Sequence, residues 1–407
     1  MSVVAWALLA AAVAGFSRLE RGLWGSARTP FAFVAVPLLG TSAFALLVGP
    51  PMGFIALRPA TIGVVALCLA CFALVSAAMA TVARPGLRGP SPLEGHGAAL
   101  AAGAPERGVS TLEYLAVGLV LLVAFRADLL GGAGALLEKG ELGVGSLKSH
   151  LLPIGMAWML MALAQRRGAG AVRAGLIVLV LWLLAINQVK YLIFLPLAGG
   201  LLYRWMSGQI GTARLAAIAA VVPLSIVVLV YAFFGIAAAQ GGVPITAEVV
   251  LELGAHMVSY LVSGLVGLDQ LLAEGRTAWF GAEGLHYAFA PFENLARFAA
   301  GAGNYFNVVN PLYLPITRSG SLDSNVFTMF GSLLLRGGWV GAVGVVMVYA
   351  AVTYGVWARW RQRTGPVACA AGAWWMAPLL FAWHDPFFIH LTLIEVMVLL
   401  WLRARVR

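Results

Sequence analysis

Long apolar runs, separated by short polar connections, occupy most of the chain. A transmembrane helix needs about 20 mostly apolar residues, and continuous rather than alternating apolar runs indicate helices instead of a β-barrel. The pattern therefore predicts an all-α, polytopic membrane protein in which residues 1–407 form a single transmembrane domain. About eleven spans are expected, at residues 2–17, 30–48, 60–83, 111–127, 151–165, 173–186, 189–205, 215–238, 338–358, 366–383 and 387–402.

Two neighbouring spans, 173–186 and 189–205, are shorter than the others and are separated only by a short polar junction. Pro196 and the glycines at 199–200 are expected to interrupt the second of them. Short or broken helices are typical of segments that line a cavity instead of facing lipid.

One long stretch, residues 239–337, breaks the apolar pattern with charged, amide and aromatic residues. Residues 325–335 are apolar but too short to span, so they either re-enter the membrane or extend the following helix. Residues 84–110 are rich in Pro, Gly and Ala and predict a flexible loop. Residues 246–274 predict an amphipathic or partly embedded helix, with apolar side chains at Val249, Leu251, Leu253, Met257, Leu261 and Leu265.

Composition supports a membrane protein over a soluble one. The chain is 61% hydrophobic and 10% charged with a mean hydropathy of +0.92, whereas soluble domains carry about 25% charged residues. Cys68, Cys71 and Cys369 all fall within apolar runs, which favours a structural role over metal or redox chemistry. The net charge of +10 is explained by basic connections between spans, so nucleic acid is not an expected partner.

The basic residues also predict the orientation. Most of the 26 Lys and Arg residues fall in alternate connections, and cytoplasmic connections of membrane proteins are enriched in these residues. We therefore predict a periplasmic N-terminus, a cytoplasmic C-terminus, a cytoplasmic loop at 84–110 and a large periplasmic loop at 239–337.

Nine basic residues remain for the outer side, at Arg58, Arg126, Lys139, Lys148, Lys190, Arg276, Arg297, Arg318 and Arg336. Arginine binds phosphate oxygens in a bidentate manner, and ionisable groups at membrane depth are costly enough to suggest function. Any one of them is also explained by snorkelling to lipid headgroups. Together they indicate a site for a polyanion or a lipid pyrophosphate, with candidates Arg126, Lys190, Arg276, Arg297, Arg318 and Arg336.

Three side chains are candidates for assisting a substrate hydroxyl: Asp323, Glu293 and His384. His384 and Asp385 occupy the predicted outer turn between the last two spans, where they could orient or deprotonate such a group. A structural hydrogen-bonding role is the alternative for each. The sequence has no nucleotide-binding, dinucleotide or paired metal-ligand pattern, so neither a cofactor nor a metal is expected.

Aromatic and amide residues are interleaved in the outer stretch, a mixture that suits sugar rings with their apolar faces and hydroxyl groups. An interfacial aromatic belt explains them equally well. They are Trp279, Phe280, Tyr287, Phe292, Tyr305, Phe306, Tyr313, Asn294, Asn304, Asn307 and Asn310.

Residues 323–341, DSNVFTMFGSLLLRGGWVG, resemble a segment of the bacterial oligosaccharide repeat-unit (O-antigen) polymerases, the Wzy family. In that family the segment leads from a large extracytoplasmic loop into a late span. The junction at 188–190 is similar to the family's short helix pair, whereas Arg336 stands where members often have an acidic residue. The matching positions are Asn325, Thr328, Gly338 and Gly341.

The resemblance implies a GT-C-like membrane glycosyltransferase of the inner membrane. Such an enzyme polymerises undecaprenyl-pyrophosphate-linked oligosaccharides into O-antigen or another surface polysaccharide, as in lipopolysaccharide biosynthesis, without a metal. Implied partners are the lipid-linked oligosaccharides, membrane lipids, a chain-length regulator and a flippase. The alternatives are an O-antigen ligase of the WaaL type, a transporter of lipid-linked oligosaccharides, and a structural subunit of a secretion complex.

Overall fold

The computed structural model describes most of the chain as helices joined by short connections. It describes residues 1–83, 109–130, 147–165, 170–186, 190–215, 217–218, 246–302, 305–362 and 366–405. The predicted loop at 84–110 and the predicted span at 215–238 therefore lie largely outside the described residues, as does Lys139.

The α-helices, numbered in chain order, are α1 (Ser2–Trp24), α2 (Pro30–Leu47), α3 (Pro59–Val82), α4 (Thr111–Ala124), α5 (Arg126–Leu130), α6 (Leu147–Ala164), α7 (Gly170–Ile186), α8 (Lys190–Met206), α9 (Ala247–Ala273), α10 (Gly284–Ala299), α11 (Thr328–Trp360), α12 (Pro366–Met376) and α13 (Leu391–Arg405). Short 3-10 turns occupy Pro50–Met52, Ala377–Phe381 and Phe387–Ile389. The all-α class predicted from the sequence agrees with this architecture.

Four of these helices, α1, α2, α3 and α11, are long and apolar enough to cross a membrane. Shorter apolar helices cover Thr111–Ala124, Gly170–Ala185, Ile193–Met206 and Val367–Phe381. The apolar helices indicate membrane association, and the total of eleven spans stays a prediction.

The described residues form two compact units. The first contains Met1–Ser91, Leu251–Gln362 and Pro378–Leu391, and the second contains Pro92–Val250, Arg363–Ala377 and Thr392–Arg407. In the first unit, α3 packs against α1, α2 and α11, so these four helices form its apolar core.

The connections at one end of the first unit contact each other. The Ser2 hydroxyl donates to the Leu57 carbonyl oxygen at 2.7 Å, and the Ile55 N–H donates to the Ile316 oxygen at 3.0 Å. Asp269 of α9 accepts from the Arg58 N–H at 2.7 Å, which satisfies one of the free amides at the start of α3. The start of α1, the connection before α3 and the loop before α11 therefore share one end of this unit, and the membrane orientation of that end stays a prediction.

The opposite end is held by a buried carboxylate. Glu20 accepts hydrogen bonds from Thr29 at 2.5 Å, from Ser76 at 2.7 Å and from the hydroxyl of Tyr354. These residues belong to, or adjoin, four different helices. Because an unpaired charge is costly away from water, the three hydroxyls are needed to accommodate Glu20 there.

A two-stranded hairpin precedes α11. Strand β1 (Leu314–Pro315) pairs antiparallel with β2 (Asp323–Ser324), with Leu314 opposite Ser324. An isolated bridge joins Thr317 to Phe54 in the connection between α2 and α3.

The predicted helix at 246–274 is confirmed as α9, and its second half lies deep in the first unit. Leu265 and Leu268 are fully buried. Gly264 and Gly267 lie against backbone oxygens of Trp383 and Val326, leaving no space for a side chain. These glycines therefore allow α9 to pack closely against neighbouring backbone inside the unit.

In the second unit, α8 packs against α6 and α12. The predicted interruption at Pro196 was wrong, since α8 continues through this residue. The glycines at 199–200 instead permit close packing: a Cβ atom at Gly199 would lie 3.0 Å from the Leu160 side chain, and one at Gly200 would lie 2.7 Å from Leu163. Residues 187–189, the predicted junction, lie outside the described residues.

The apolar run at 325–335 was predicted either to re-enter the membrane or to extend the following helix, and the structure shows that it extends the helix. Helix α11 begins at Thr328 and is kinked at Gly338, where φ is 67° and ψ is −175°. A Cβ atom at Gly338 would lie 2.7 Å from the Ala278 oxygen. Only glycine fits both the left-handed backbone and the close approach.

We expect Gly338→Ala to destabilise the protein by about 2 kcal/mol or more, because the φ and ψ of Gly338 lie in a region essentially restricted to glycine, which costs other residues about 1–3 kcal/mol before the clash is counted. The matched control is Gly341→Ala, because no atom lies within 4 Å of a Cβ at this position. Alanine favours a helix by about 1 kcal/mol over glycine, so the control should unfold at the same or a higher temperature. Thermal unfolding in detergent measures both, and equal unfolding temperatures would contradict the requirement for glycine.

Candidate functional site

A chain of polar side chains lies beside the first turns of α11, in the first unit. The amide of Asn310 donates to the Ser332 hydroxyl at 3.0 Å, and Ser332 donates to the Asp385 carboxylate at 2.9 Å. Asn310 also donates to the Asn325 backbone oxygen at 3.1 Å, and Asn325 donates to that of Asn310 at 3.2 Å. These bonds join the loop before α11, the helix itself and the turn before α13.

Arg336 adjoins this chain from the end of the first α11 segment. Its guanidinium pairs with Glu283, donates to the Val309 oxygen at 2.9 Å, and lies 5.5 Å from the centre of the Tyr287 ring. The Arg336 side chain is only 11% exposed. A guanidinium held this way keeps its charge in a region mostly shielded from water.

Several buried polar atoms on and around these residues lack a hydrogen-bond partner among the described residues. They are Asn310 Oδ1, Arg336 Nε and His384 Nδ1. Buried polar groups are normally satisfied, and each exception requires an explanation. A polar ligand or ordered water that contacts these atoms would remove the desolvation cost. We refer to Tyr287, Asn310, Ser332, Arg336 and Asp385 as the polar cluster.

Backbone hydrogen bonds hold the turn that carries Asp385. The Thr328 N–H donates to the His384 oxygen at 3.0 Å, and the Met329 N–H donates to the Ala382 oxygen at 2.8 Å. Thr328 has a positive φ of 65°, which is costly for a β-branched residue. Its hydroxyl accepts from the Gly331 N–H at 3.1 Å, which satisfies one of the free amides in the first turn of the helix. The strained start of α11 thus fixes Asp385 next to Ser332.

The environment changes the acid–base behaviour of the cluster. Burial raises the pKa of Asp385 to about 7, and the hydrogen bond from Ser332 offsets part of that shift. Burial raises the pKa of Tyr287 well above its ordinary value, and the nearby Asp385 charge adds to the effect. Burial lowers the pKa of His384 to about 4, so its imidazole is neutral at pH 7. A group that titrates near neutral pH suits general acid–base chemistry, which favours Asp385 over His384.

The other predicted arginines of this unit are more exposed. Arg276 pairs with Glu274 at 2.6 Å, and Arg297 pairs with Glu293 one helical turn away at 2.5 Å. The Arg318 residue is exposed, and its backbone N–H donates to the Gly53 oxygen. Of the arginines predicted in this unit, Arg336 is the one joined to the polar cluster.

Neither of the predicted acids Glu293 and Asp323 is hydrogen-bonded to Ser332 among the described residues. Glu293 accepts from Arg297 and contacts His286 at 3.2 Å, and these interactions hold the pKa of its carboxyl below the usual range, with the His286 bond contributing most. Asp323 is exposed on β2. Asp323 is exposed and Glu293 is half-buried, and neither carboxylate is bonded to Ser332.

Two predicted basic residues belong to the second unit. Arg126 is exposed at the start of α5, and Lys190 begins α8. This unit also contains contacts between ionisable side chains that sequence reasoning missed: the Lys148–Asp128 ion pair at 3.0 Å, and a hydrogen bond between His150 of α6 and Glu395 of α13. The second contact had one signal in the sequence: Glu395 is an ionisable residue within an apolar run.

Some of the loop amides have structural partners. Asn294 donates to the Phe306 oxygen at 3.0 Å and accepts from the Phe306 N–H at 2.7 Å. Asn307 accepts from the Val309 N–H at 2.9 Å. These bonds fix the loop that carries Asn310, so Asn294 contributes to the site indirectly.

The fold and the polar cluster define a helical protein with apolar helices of membrane-spanning length and a buried polar site at one end of its first unit. The chain belongs to a family of unknown function, DUF6337, whose model matches residues 137–405, about two-thirds of the chain. All five residues of the polar cluster fall within the matched region. No curated protein and no solved structure matches the chain.

Asp385 should make stability depend on pH. Its carboxyl has a pKa of about 7 in the folded protein and an ordinary value of about 3.9 when unfolded. The folded state therefore holds the proton more tightly, and its stability from this group is lost as pH rises from about 4 to about 7. Asp385→Asn cannot titrate, so its unfolding temperature should gain on that of the wild type across this window.

Thermal unfolding in detergent, measured at several pH values, checks this expectation. Asp323→Asn is the control, because an exposed carboxylate is solvated in both states. A difference between Asp385→Asn and the wild type that stays constant from about pH 4 to about pH 7 would contradict the raised pKa of the Asp385 carboxyl.

Proposed function

We propose that this protein is a membrane glycosyltransferase that polymerises undecaprenyl-pyrophosphate-linked oligosaccharide units into a surface polysaccharide. The observation that carries the proposal is the polar cluster, in which a mostly buried arginine and a carboxyl with a pKa of about 7 lie at one end of an apolar helical unit. The resemblance of residues 323–341 to O-antigen polymerases supports the same reaction class.

Arg336 is the proposed anchor for the pyrophosphate of the donor. A guanidinium forms two charge-assisted hydrogen bonds with phosphate oxygens, which a single ammonium cannot reproduce. Glu283 neutralises Arg336 and is 54% exposed, so a diphosphate can displace it into water. The unpartnered Oδ1 atom of Asn310 can accept a hydrogen bond from a sugar hydroxyl.

Asp385 is the proposed proton acceptor. In the transfer, the acceptor hydroxyl oxygen forms a bond to the anomeric carbon of the donor while the bond from that carbon to the pyrophosphate oxygen breaks. The hydroxyl proton passes to Asp385, and undecaprenyl pyrophosphate leaves with the bonding electrons. Since pyrophosphate already leaves readily, the protein mainly positions the acceptor and stabilises the departing charge.

The proposed location is the bacterial inner membrane, with the N-terminus and residues 239–337 in the periplasm and the C-terminus in the cytoplasm. Lipid-linked oligosaccharides delivered by a flippase would then reach the site from the outer leaflet. A chain-length regulator is a further proposed partner. Arg276 and Arg318 are exposed and Arg297 is half-buried. All three lie outside the polar cluster and are candidates for attracting the anionic substrate.

Reconstitution tests the reaction directly. Purified protein in proteoliposomes is supplied with undecaprenyl-pyrophosphate-linked repeat units from its host, without nucleotide sugar, and the products are separated on a gel. A ladder of lipid-linked oligomers is expected. Transfer that occurs only when core lipid is added would instead identify a ligase, and unreacted units under both conditions would contradict glycosyl transfer.

Arg336→Lys should lower polymer formation by about 100-fold, the usual effect of losing one positioned transition-state donor. Arg359→Ala is the matched control, because Arg359 is exposed at the other end of the same helix and should leave activity unchanged. The polymer yield is normalised to the protein recovered in the proteoliposomes. Full activity of Arg336→Lys would contradict the role assigned to Arg336.

A further inference from the structure

Helix α10 carries three distinct stripes of side chains. One stripe is buried against α11 and the Phe387–Ile389 turn, and contains Tyr287, Ala290, Pro291 and Asn294. A second stripe carries the ionisable residues His286, Glu293 and Arg297, which contact each other. The third stripe is apolar and exposed, with Leu285, Phe289, Phe292 and Leu295. The spacings of three, four and seven residues place each set on its own side of the helix.

The exposed apolar stripe continues into the segment before α10. Trp279 is 73% exposed and Phe280 is 76% exposed, and Leu285 is 71% exposed in the first turn of the helix. Large exposed apolar patches beside polar residues mark sites of interaction with protein or membrane. Scattered surface residues do not explain a group that includes four large aromatic side chains, Trp279, Phe280, Phe289 and Phe292.

Backbone hydrogen bonds fix the position of these exposed apolar residues along α11. The Val340 N–H donates to the Trp279 oxygen at 3.1 Å, and the Gly281 N–H donates to the Gly337 oxygen at 3.0 Å. Trp279 therefore lies beside Val340, the first exposed apolar residue after the kink. The exposed apolar surface of α11 continues from there through Val348 and Val352. The patch on α10 thus joins the end of an apolar surface of membrane-spanning length.

We propose that α10 is an interfacial helix. Leu285, Phe289 and Phe292 of its exposed stripe, together with Trp279 and Phe280 before the helix, are embedded in the lipid leaflet at the loop end of the first unit. The ionisable stripe of the same helix then lies at the level of the lipid headgroups. An interfacial helix buries its apolar face about 5–10 Å into the boundary between headgroups and acyl chains. Aromatic side chains are favoured at this depth.

Membrane lipid is the occupant favoured over a second copy of the chain. The patch is continuous with the apolar surface of α11, which requires lipid along its length, and the adjoining His286, Glu293 and Arg297 suit a hydrated boundary. The proposal also locates the polar cluster relative to the membrane. Tyr287, on the buried side of α10, contacts Arg336, so the polar cluster lies next to the lipid boundary. The inference does not depend on the reaction proposed above.

Depth-dependent fluorescence quenching tests the proposal on the full-length protein. A single cysteine at Phe289, labelled with an environment-sensitive dye, is reconstituted in phosphatidylethanolamine and phosphatidylglycerol vesicles. The lipids are brominated either near the carbonyl end or near the methyl end of the acyl chain. Quenching by the shallow bromines should exceed quenching by the deep ones by about twofold, given the expected depth of 5–10 Å.

Two labelled controls bracket the result. Val348→Cys, an exposed position in the middle of α11, should be quenched more by the deep bromines. Ser319→Cys, exposed between β1 and β2, should be quenched by neither. The native cysteines are buried, and the unsubstituted protein measures their background labelling. If Phe289→Cys behaves like Ser319→Cys at high lipid-to-protein ratio, the stripe does not contact lipid and the proposal is overturned.

Discussion

The close backbone contact between residues 278–284 and 336–340 is the constraint on which the functional end of the first unit depends. Gly338 has a left-handed backbone, and a Cβ atom at Gly284 would lie 2.6 Å from the Gly337 Cα atom. Because no side chain fits between these segments, glycines permit the kink of α11 and the attachment of α10 at the same point. The contact orients Arg336 towards Tyr287 and sets the level of the exposed aromatic side chains.

The polar cluster is a costly arrangement for a protein interior. Desolvating a polar group without a hydrogen bond costs about 1–3 kcal/mol in proteins, and unpartnered atoms surround Asp385 and Arg336. Elsewhere in the same unit, Glu20 and Asp269 are buried with hydroxyl or amide donors directed at them. These two carboxylates therefore differ from the polar cluster, around which several buried polar atoms have no partner among the described residues.

Sequence reasoning predicted the helical class and α9, because apolar periodicity is a local signal. It also selected Arg336 and the turn at 384–385, and the structure places both at the polar cluster, but their role in function stays a prediction. It did not predict the three-stripe character of α10, since burial of Tyr287 and Asn294 depends on neighbours distant in sequence. It also missed the link through Ser332, whose partners are 22 and 53 residues away. Pro196 misled because a proline suggests a helix break, whereas packing keeps α8 continuous.

The central claim is that the polar cluster binds the diphosphate of a lipid-linked substrate. A cryo-electron microscopy structure of the protein in lipid nanodiscs with added undecaprenyl pyrophosphate tests it most directly. The account predicts diphosphate density against the Arg336 guanidinium, with Glu283 displaced from its ion pair and the prenyl chain passing beside α10. Density for the diphosphate at Arg126 or Lys190, with the Arg336–Glu283 pair intact, would contradict it.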